Sequence, residues 1–357
     1  MVKILFCISD HGYGHAARSI PIIQKLLAKG HDVVVRNTSA AKMLALEVPL
    51  VQIIAERNDV GVLQVPGSYA IDHQATRQAL DTWMGELAQD KKRIAEHIKM
   101  HAIDLLITDS SPQGLFVAKE NGIPGVFVGS FTWIDVYEHL LLLDPSEKSI
   151  LMMMYGAASL SFALPFSSAL KGIVNRQDVD LVVRRPTCMI PPIPHSVLYS
   201  VSGSMNGTPA WHAKNFTGKM VISANVEPSP VQDPIKMGWD IPSIEYTNAV
   251  SLVVARSGYG IVAECIACKK PVYLVRRPGF IDDDTVIQEV TRLGIGREVS
   301  PDELCGLVTD EIFTDAALLQ KAYNSLPDQY LGDGAEQIVH AVESLIAMNQ
   351  IQEKEIG

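Results

Sequence analysis

Short apolar runs alternate with helical patterns along most of this chain. Lys3–Ser9 (KILFCIS) predicts a strand and ends in a glycine-rich turn. Arg18–Lys29 then shows helical spacing through Ile22, Ile23, Leu26 and Leu27, and Gly30 stops that helix. Strands follow at His31–Arg36 and Leu50–Ile54, with a helix at Ser39–Leu46 between them and a loop over Arg57–Tyr69. His73–His101 is long, amphipathic and charged, which predicts a solvent-facing helix. Ile103–Thr108, a helix from Pro112, and Gly125–Val128 continue the alternation. Such a series predicts a parallel sheet covered by helices on both faces.

Arg184–Ser196 interrupts the series, because its four prolines discourage regular structure. A second series follows through Val197–Ser202, Met220–Ala224, Val250–Ala255 and Pro271–Val275, with helices at Ile261–Cys268 and Asp328–Asn349. The expected fold class is α/β: two Rossmann-like, doubly wound domains facing across a cleft, with a C-terminal helix closing the chain. The boundaries are 1–184, a proline-rich linker 185–196, a second domain 197–330, and helix plus tail 331–357.

Composition narrows the partners. The chain has 357 residues, 47% hydrophobic and 20% charged, and a formal charge of −10. Thirty Lys+Arg against 40 Asp+Glu give little for nucleic acid to grip. Five cysteines do not make a disulfide framework, and Met1–Ser9 lacks the basic start of a signal peptide, so a cytoplasmic setting is expected. Ser149–Leu170 contains no charged residue, but Gly156, Pro165 and its serines fit a helix turn followed by a strand at Leu160–Leu164 better than a span. The apolar Leu140–Leu143 and Ile150–Met154 leave room for peripheral membrane contact, with buried packing as the plainer account.

Two strand–helix turns carry candidate chemistry. Asp10-His11-Gly12-Tyr13-Gly14-His15 follows the first strand, at the sheet edge where ligands bind. A dinucleotide fingerprint does not fit, since Ala17 stands at the third glycine position and the second strand ends Arg36-Asn37. Asp109 ends the fourth strand, which in a doubly wound sheet lies beside the first. It can pair with His15, stabilise the protonated imidazole, and make His15 a general base; an N-cap ahead of Pro112 is its plainer role. The second turn, Arg256-Ser257-Gly258-Tyr259-Gly260, opens a helix containing Glu264. Its backbone N–H groups suit a pyrophosphate, and Glu264 is placed to accept ribose hydroxyls.

These motifs, with Lys270-Pro271 and Arg277-Pro278-Gly279-Phe280, resemble GT-B glycosyltransferases of the group that includes the lipid II-forming N-acetylglucosaminyltransferase and the UDP-glycosyltransferases. The HGYGHA turn also resembles the glycosyltransferase-like domain of plant arabinose kinases. The resemblance implies a nucleotide diphosphate sugar, UDP-linked, as donor and a hydroxyl on a small-molecule or lipid-linked acceptor. His15 would be the base, held by Asp109, with His11, Gly12, Tyr13 and Gly14 in the acceptor-side loop. Arg256, Ser257, Gly258, Tyr259, Gly260 and Glu264 would hold the nucleotide, Ile241 the uracil, and Asp283 and Asp284 the donor sugar. The segment between Gly203 and Met220 is short for the usual first helix of a donor domain. That keeps open a catalytically silent nucleotide-sugar binder, beside a UDP-sugar epimerase on the same fold.

No cofactor or catalytic metal is expected. Asp282-Asp283-Asp284 contains D-x-D but reads as a solvated acidic loop; Cys265 and Cys268 have zinc-like spacing but read as a buried helix face. His11 and His15 are separated by two glycines, which breaks a shared metal-binding face.

Overall fold

The computed structural model describes residues 1–201, 216–223, 233–300, 303 and 310–356. They form two compact units that are not simple halves of the chain. The first contains Met1–Gly61, Arg77–Val183 and Leu331–Gly357; the second contains Val62–Thr76 and Arg184–Tyr330.

The first unit is built on seven parallel strands: β1 (Lys3–Ile8), β2 (Asp32–Arg36), β3 (Gln52–Ile54), β4 (Leu105–Asp109), β5 (Gly125–Gly129), β6 (Leu160–Ala163) and β7 (Arg176–Asp178). Their order is β3-β2-β1-β4-β5-β6-β7, so the winding reverses between β1 and β4. That pair runs in register from Ile4 opposite Leu105 to Ile8 opposite Asp109. Burial explains the composition of the strands: Leu5, Phe6, Leu106, Ile107, Val126 and Phe127 are wholly inaccessible.

Around the sheet lie α1 (Tyr13–Ala28), α2 (Ala41–Glu47), α3 (His73–His101), α4 (Gln113–Glu120), α5 (Trp133–His139) and α6 (Pro145–Tyr155). On α3 the buried residues Leu80, Trp83, Leu87, Ile94 and Ile98 recur at helical spacing, which docks one stripe and leaves the charged face to solvent. Helix α1 begins five residues before the Arg18 start read from the sequence. Gly12 makes this possible, because as N-cap it adopts φ 84°, a value side chains resist. Pro21 consequently sits inside the helix. Helix α5 is absent from the sequence reading; it starts at Thr132, whose side chain forms a capping box with Asp135. In α6, Leu151 and Met154 are buried while Met152 and Met153 are half exposed, and no helix among the described residues is long and apolar enough to cross a membrane.

Among the described residues the second unit has six parallel strands: β8 (Ser196–Ser200), β9 (Lys219–Ile222), β10 (Ile235–Lys236), β11 (Leu252–Arg256), β12 (Val272–Val275) and β13 (Gly296–Val299), in the order β10-β9-β8-β11-β12-β13. Helices α7 (Ser243–Ala249), α8 (Tyr259–Cys268) and α9 (Ile281–Leu293) flank it. Residues 62–76 join this unit because Tyr69 enters its core with Val197, Tyr199, Leu252 and Tyr273. Glu245 on α7 pins the proline-rich stretch by accepting from the backbone N–H groups of Thr187 (2.6 Å) and Met189 (2.9 Å). The Gly203–Met220 segment, whose length was noted above, lies largely outside the described residues.

The final helix, Gly334–Ile356, belongs to the first unit. Lys25 of α1 bonds Glu336 at 2.7 Å and Asp333 at 3.1 Å. At Gly334 the approach is so close that a Cβ would lie 2.0 Å from the backbone oxygen of Asp180.

Candidate functional site

His15 lies in the first turn of α1, just past the carboxyl end of β1, and Asp109 is the last residue of the neighbouring β4. A doubly wound sheet opens its ligand crevice at this reversal of strand order. His15 Nδ1 stands 2.6 Å from Asp109 Oδ1. Because the helix starts at Tyr13, Arg18 and Ser19 fall three and four residues beyond His15 on the same face. Arg18 donates to both carboxylate oxygens, Nε to Oδ2 at 2.7 Å and Nη2 to Oδ1 at 2.6 Å, and Ser19 Oγ adds a bond at 3.1 Å. Arg18 also reaches Ser130 at 2.9 Å and Ser110 at 3.0 Å. Asp109 therefore acts as the hub of this cluster and caps no helix; α4 starts at Pro112 without a side-chain cap.

The electrostatics correct one expectation. Pairing with Asp109 does not leave the imidazolium favoured: burial lowers the His15 pKa, the Arg18 charge lowers it further, and Asp109 offsets only part. Burial works to raise the Asp109 carboxyl, yet Arg18 and then His15 outweigh it and hold the group well below the usual carboxylate range. The result is an ionised Asp109 beside a neutral imidazole. With Nδ1–H donated to Asp109, Nε2 carries the lone pair, and Nε2 makes no hydrogen bond among the described residues. Arg18 Nη2 also lies 2.9 Å from Nδ1, a contact this tautomer makes electrostatic.

Aromatic rings frame the imidazole. Phe131 meets it edge-on at 5.6 Å, and His11 lies 6.4 Å from it and 5.5 Å from Trp133. Trp133 Nε1 donates to Asp59 at 2.9 Å. Asp59 is fully buried, and burial together with the Asp10 charge pushes its carboxyl up to about 7. Tyr13 and Gly14, read as loop residues from the sequence, are the exposed first residues of α1, and Gly12 is its N-cap. Phe131, Trp133 and Asp59 were absent from the sequence reading, and Arg18 entered it only as a helix start; for Arg18 the signal was its spacing from His15 once that start is placed correctly.

In the second unit Arg256 ends β11, Ser257 leads out of it, and Gly258 is the N-cap of α8, whose first residues are Tyr259 and Gly260. A Cβ at Gly258 would meet nothing within 4 Å, so the space before this helix end is open. Ser257 Oγ donates to the Val275 carbonyl at 3.2 Å. Arg256 donates to Gln64 at 3.1 Å, and burial plus the nearby Arg277 lower its pKa to about 10. Glu264 is buried, and its carboxylate is already engaged: Arg184 Nη2 ion-pairs with it, Ser243 Oγ is 3.0 Å away and Thr247 Oγ1 3.2 Å. Ile241 is half-buried just before α7.

The Asp282–Asp284 triplet is not a solvated loop. It forms the first turn of α9, where acidic residues complement the helix dipole, and Asp282 and Asp283 are buried. Both oxygens of Asp283 are taken by Arg277, which donates its backbone N–H to Oδ2 at 2.7 Å and its Nε to Oδ1 and Oδ2 at 3.2 and 3.1 Å. Asp284 ion-pairs with Arg276. Cys265 and Cys268 are buried on α8, and burial raises both thiols, that of Cys268 to about 12. Among the described residues no group of three or more His, Cys, Asp or Glu side chains is arranged around a metal position.

Comparison with known proteins bears on the fold. Residues 2–151 match the family model described as Glycosyl transferase family 1. The L-arabinokinase of Arabidopsis thaliana is 24% identical over 299 residues, covering 78% of this chain but 28% of the relative, so the chain spans little more than a quarter of that protein. The calicheamicin glycosyltransferase CalG4 superposes with a TM-score of 0.68 at 15% identity, over 97% of this chain and 98% of that one. Phytolacca americana UGT2, solved with UDP-2fluoro-glucose and pterostilbene, gives a TM-score of 0.62 at 12% identity, over 97% of this chain and all (100%) of that one. The class is set by these likenesses: the chain has the GT-B fold of glycosyltransferases.

Proposed function

We propose that this chain transfers a glycosyl group from a nucleotide diphosphate sugar, UDP-linked, to a hydroxyl of a small-molecule or lipid-linked acceptor. One observation carries the reading: a buried, neutral His15 at the strand-order reversal, held through Nδ1 by an Asp109 that Arg18 keeps ionised. His15 Nε2 takes the hydroxyl proton as the acceptor oxygen bonds to the anomeric carbon. The bond from that carbon to the diphosphate breaks and the diphosphate leaves with its electron pair; within the second unit, the backbone N–H groups that open α8 are suited to an anion of this kind. Support for a UDP-linked donor comes from the UDP-sugar in the Phytolacca americana relative. No catalytic metal is required, because a helix N-terminus and Arg256 can receive the diphosphate charge.

The test is release of UDP from a panel of UDP-sugars with candidate acceptors. His15→Ala should lower transfer by about 10²–10⁴-fold. A rate within about threefold of wild type refutes the base assignment. A second reading, a silent nucleotide-sugar binder, draws on Glu264. Its carboxylate is filled by Arg184, Ser243 and Thr247, so ribose hydroxyls must compete for it. UDP binding without turnover of any sugar in the panel would favour that reading.

A further inference from the structure

Residues 62–76 form a hairpin that belongs to the second unit, although the chain on either side of it belongs to the first. Its own bonds set its shape. Val65 N–H donates to the Ala70 carbonyl at 3.0 Å across a turn in which Gly67 takes φ 70°, Gln64 bridges to Ile71, and Asp72 N–H donates to the Leu63 carbonyl at 2.9 Å. Tyr69, 5% exposed, anchors the hairpin in the core that it shares with Tyr199 of β8 and Val254 of β11. The second sheet reverses its winding between those two strands, and such a reversal marks the ligand crevice of a doubly wound sheet. We propose that Gln64 of this hairpin is a positioning residue, which holds the Arg256 guanidinium ready for the diphosphate of the donor. This role presupposes the donor diphosphate of the proposed transfer reaction.

The bonding of the Gln64 amide is directional. Its Nε2 donates to the Tyr69 carbonyl at 3.4 Å, so Oε1 is the atom turned to Arg256, whose Nη1 donates to it at 3.1 Å. A neutral amide fixes the guanidinium without adding a charge that an incoming anion must displace. The surroundings favour such an anion. Burial and the Arg277 charge lower the Arg256 pKa to about 10, and Asp283 and Tyr69 offset only part of that. Arg277 and Asp283 meanwhile hold each other, Nε lying 3.2 and 3.1 Å from the two carboxylate oxygens. A glutamate at position 64 would fail on two counts. One oxygen would face the Tyr69 carbonyl, and its charge would compete with the diphosphate for Arg256. Ser257 and Gly258 follow Arg256 directly and lead into α8, so this arginine and the first N–H groups of the helix belong to one strand–helix turn.

Inorganic pyrophosphate and UDP are titrated separately against the whole chain by calorimetry, with no acceptor or turnover required. Gln64→Met and Gln64→Glu both keep the length of the side chain. Gln64→Met, which loses the bond to Arg256, should weaken both ligands by about threefold to tenfold. Gln64→Glu should weaken them by about tenfold or more, and its deficit should shrink as salt rises from about 0.05 to 0.5 M, because the competing ion pair is screened. Gln64→Asn, which withdraws the amide by one methylene, should match Gln64→Met and takes its place if either variant fails to fold. A hairpin that merely loosened would give equal, salt-independent losses with a lower melting temperature, and that result overturns the positioning role. Equal affinity in wild type and Gln64→Glu overturns the role of Gln64 alone. If the wild type binds neither pyrophosphate nor UDP, the diphosphate reading falls and this role with it.

Discussion

Replacing Asp109 with asparagine exchanges one carboxylate oxygen for an amide nitrogen and removes the charge on which three side chains converge. In the native protein the carboxylate has no solvent access and receives His15 at 2.6 Å, Arg18 at 2.7 and 2.6 Å, and Ser19 at 3.1 Å. The amide would keep one accepting oxygen and turn the other position into a donor facing Arg18. The guanidinium, itself 3% exposed, would then lose the carboxylate to which it donates twice. Removing one partner of such a pair costs about 3–5 kcal/mol, whereas replacing both with apolar groups is often near neutral. Asp109→Asn should therefore lose about 3–5 kcal/mol, and Asp109→Asn combined with Arg18→Met should recover most of it. Urea unfolding followed by the fluorescence of Trp133, which is fully buried in the same unit, measures both. The sign with pH also follows. The native Asp109 pKa is depressed below its ordinary 3.8, so its stabilisation is complete above that value and is lost as pH falls through the native one. The gap between wild type and variant must shrink in acid. A single-variant loss under about 1 kcal/mol, or a double variant no more stable than the single, would refute the hub role of Asp109.

Asp59 should act with the opposite sign. Its carboxyl is raised from 3.8 to about 7, so the folded protein retains a proton that the unfolded chain gives up. Stability should accordingly fall as pH rises from about 4 to 7, by an amount on the order of 4 kcal/mol. Asp59→Asn should flatten that slope and stabilise the protein above pH 7, measured as melting temperature against pH; an unchanged slope would remove Asp59 as its source. Gly334→Ala should destabilise by about 1–3 kcal/mol through the backbone clash with Asp180, despite the better helix propensity of alanine, and denaturant midpoints would show a gain instead if the helix simply shifts.

Residues that answer to one periodicity were legible in the sequence; residues placed by another segment were not. Helix α3 was readable end to end because a single apolar stripe, Leu80 to Ile98, determines it. The pairing of β1 with β4 followed from the rule for doubly wound sheets, and that rule brings His15 and Asp109 together from the sequence alone. Arg18 escaped notice because it was read as the start of a helix. A charged residue at a helix start looks solvated, whereas one full turn inside the helix it faces the sheet edge. A shift of five residues in one boundary thus hid the side chain that does most to keep Asp109 ionised. Tyr69 was hidden for another reason: no local pattern tells a loop residue that its pocket lies in the core built from residues 197–316. The acidic triplet Asp282–Asp284 shows the limit of composition most directly. Three consecutive carboxylates look hydrated until a partner is known, and Asp283 is buried because Arg277, six residues earlier, supplies the charge and three donors that water would otherwise provide. Sequence reasoning at such a site should therefore ask which arginine lies within reach before assigning an aspartate to solvent.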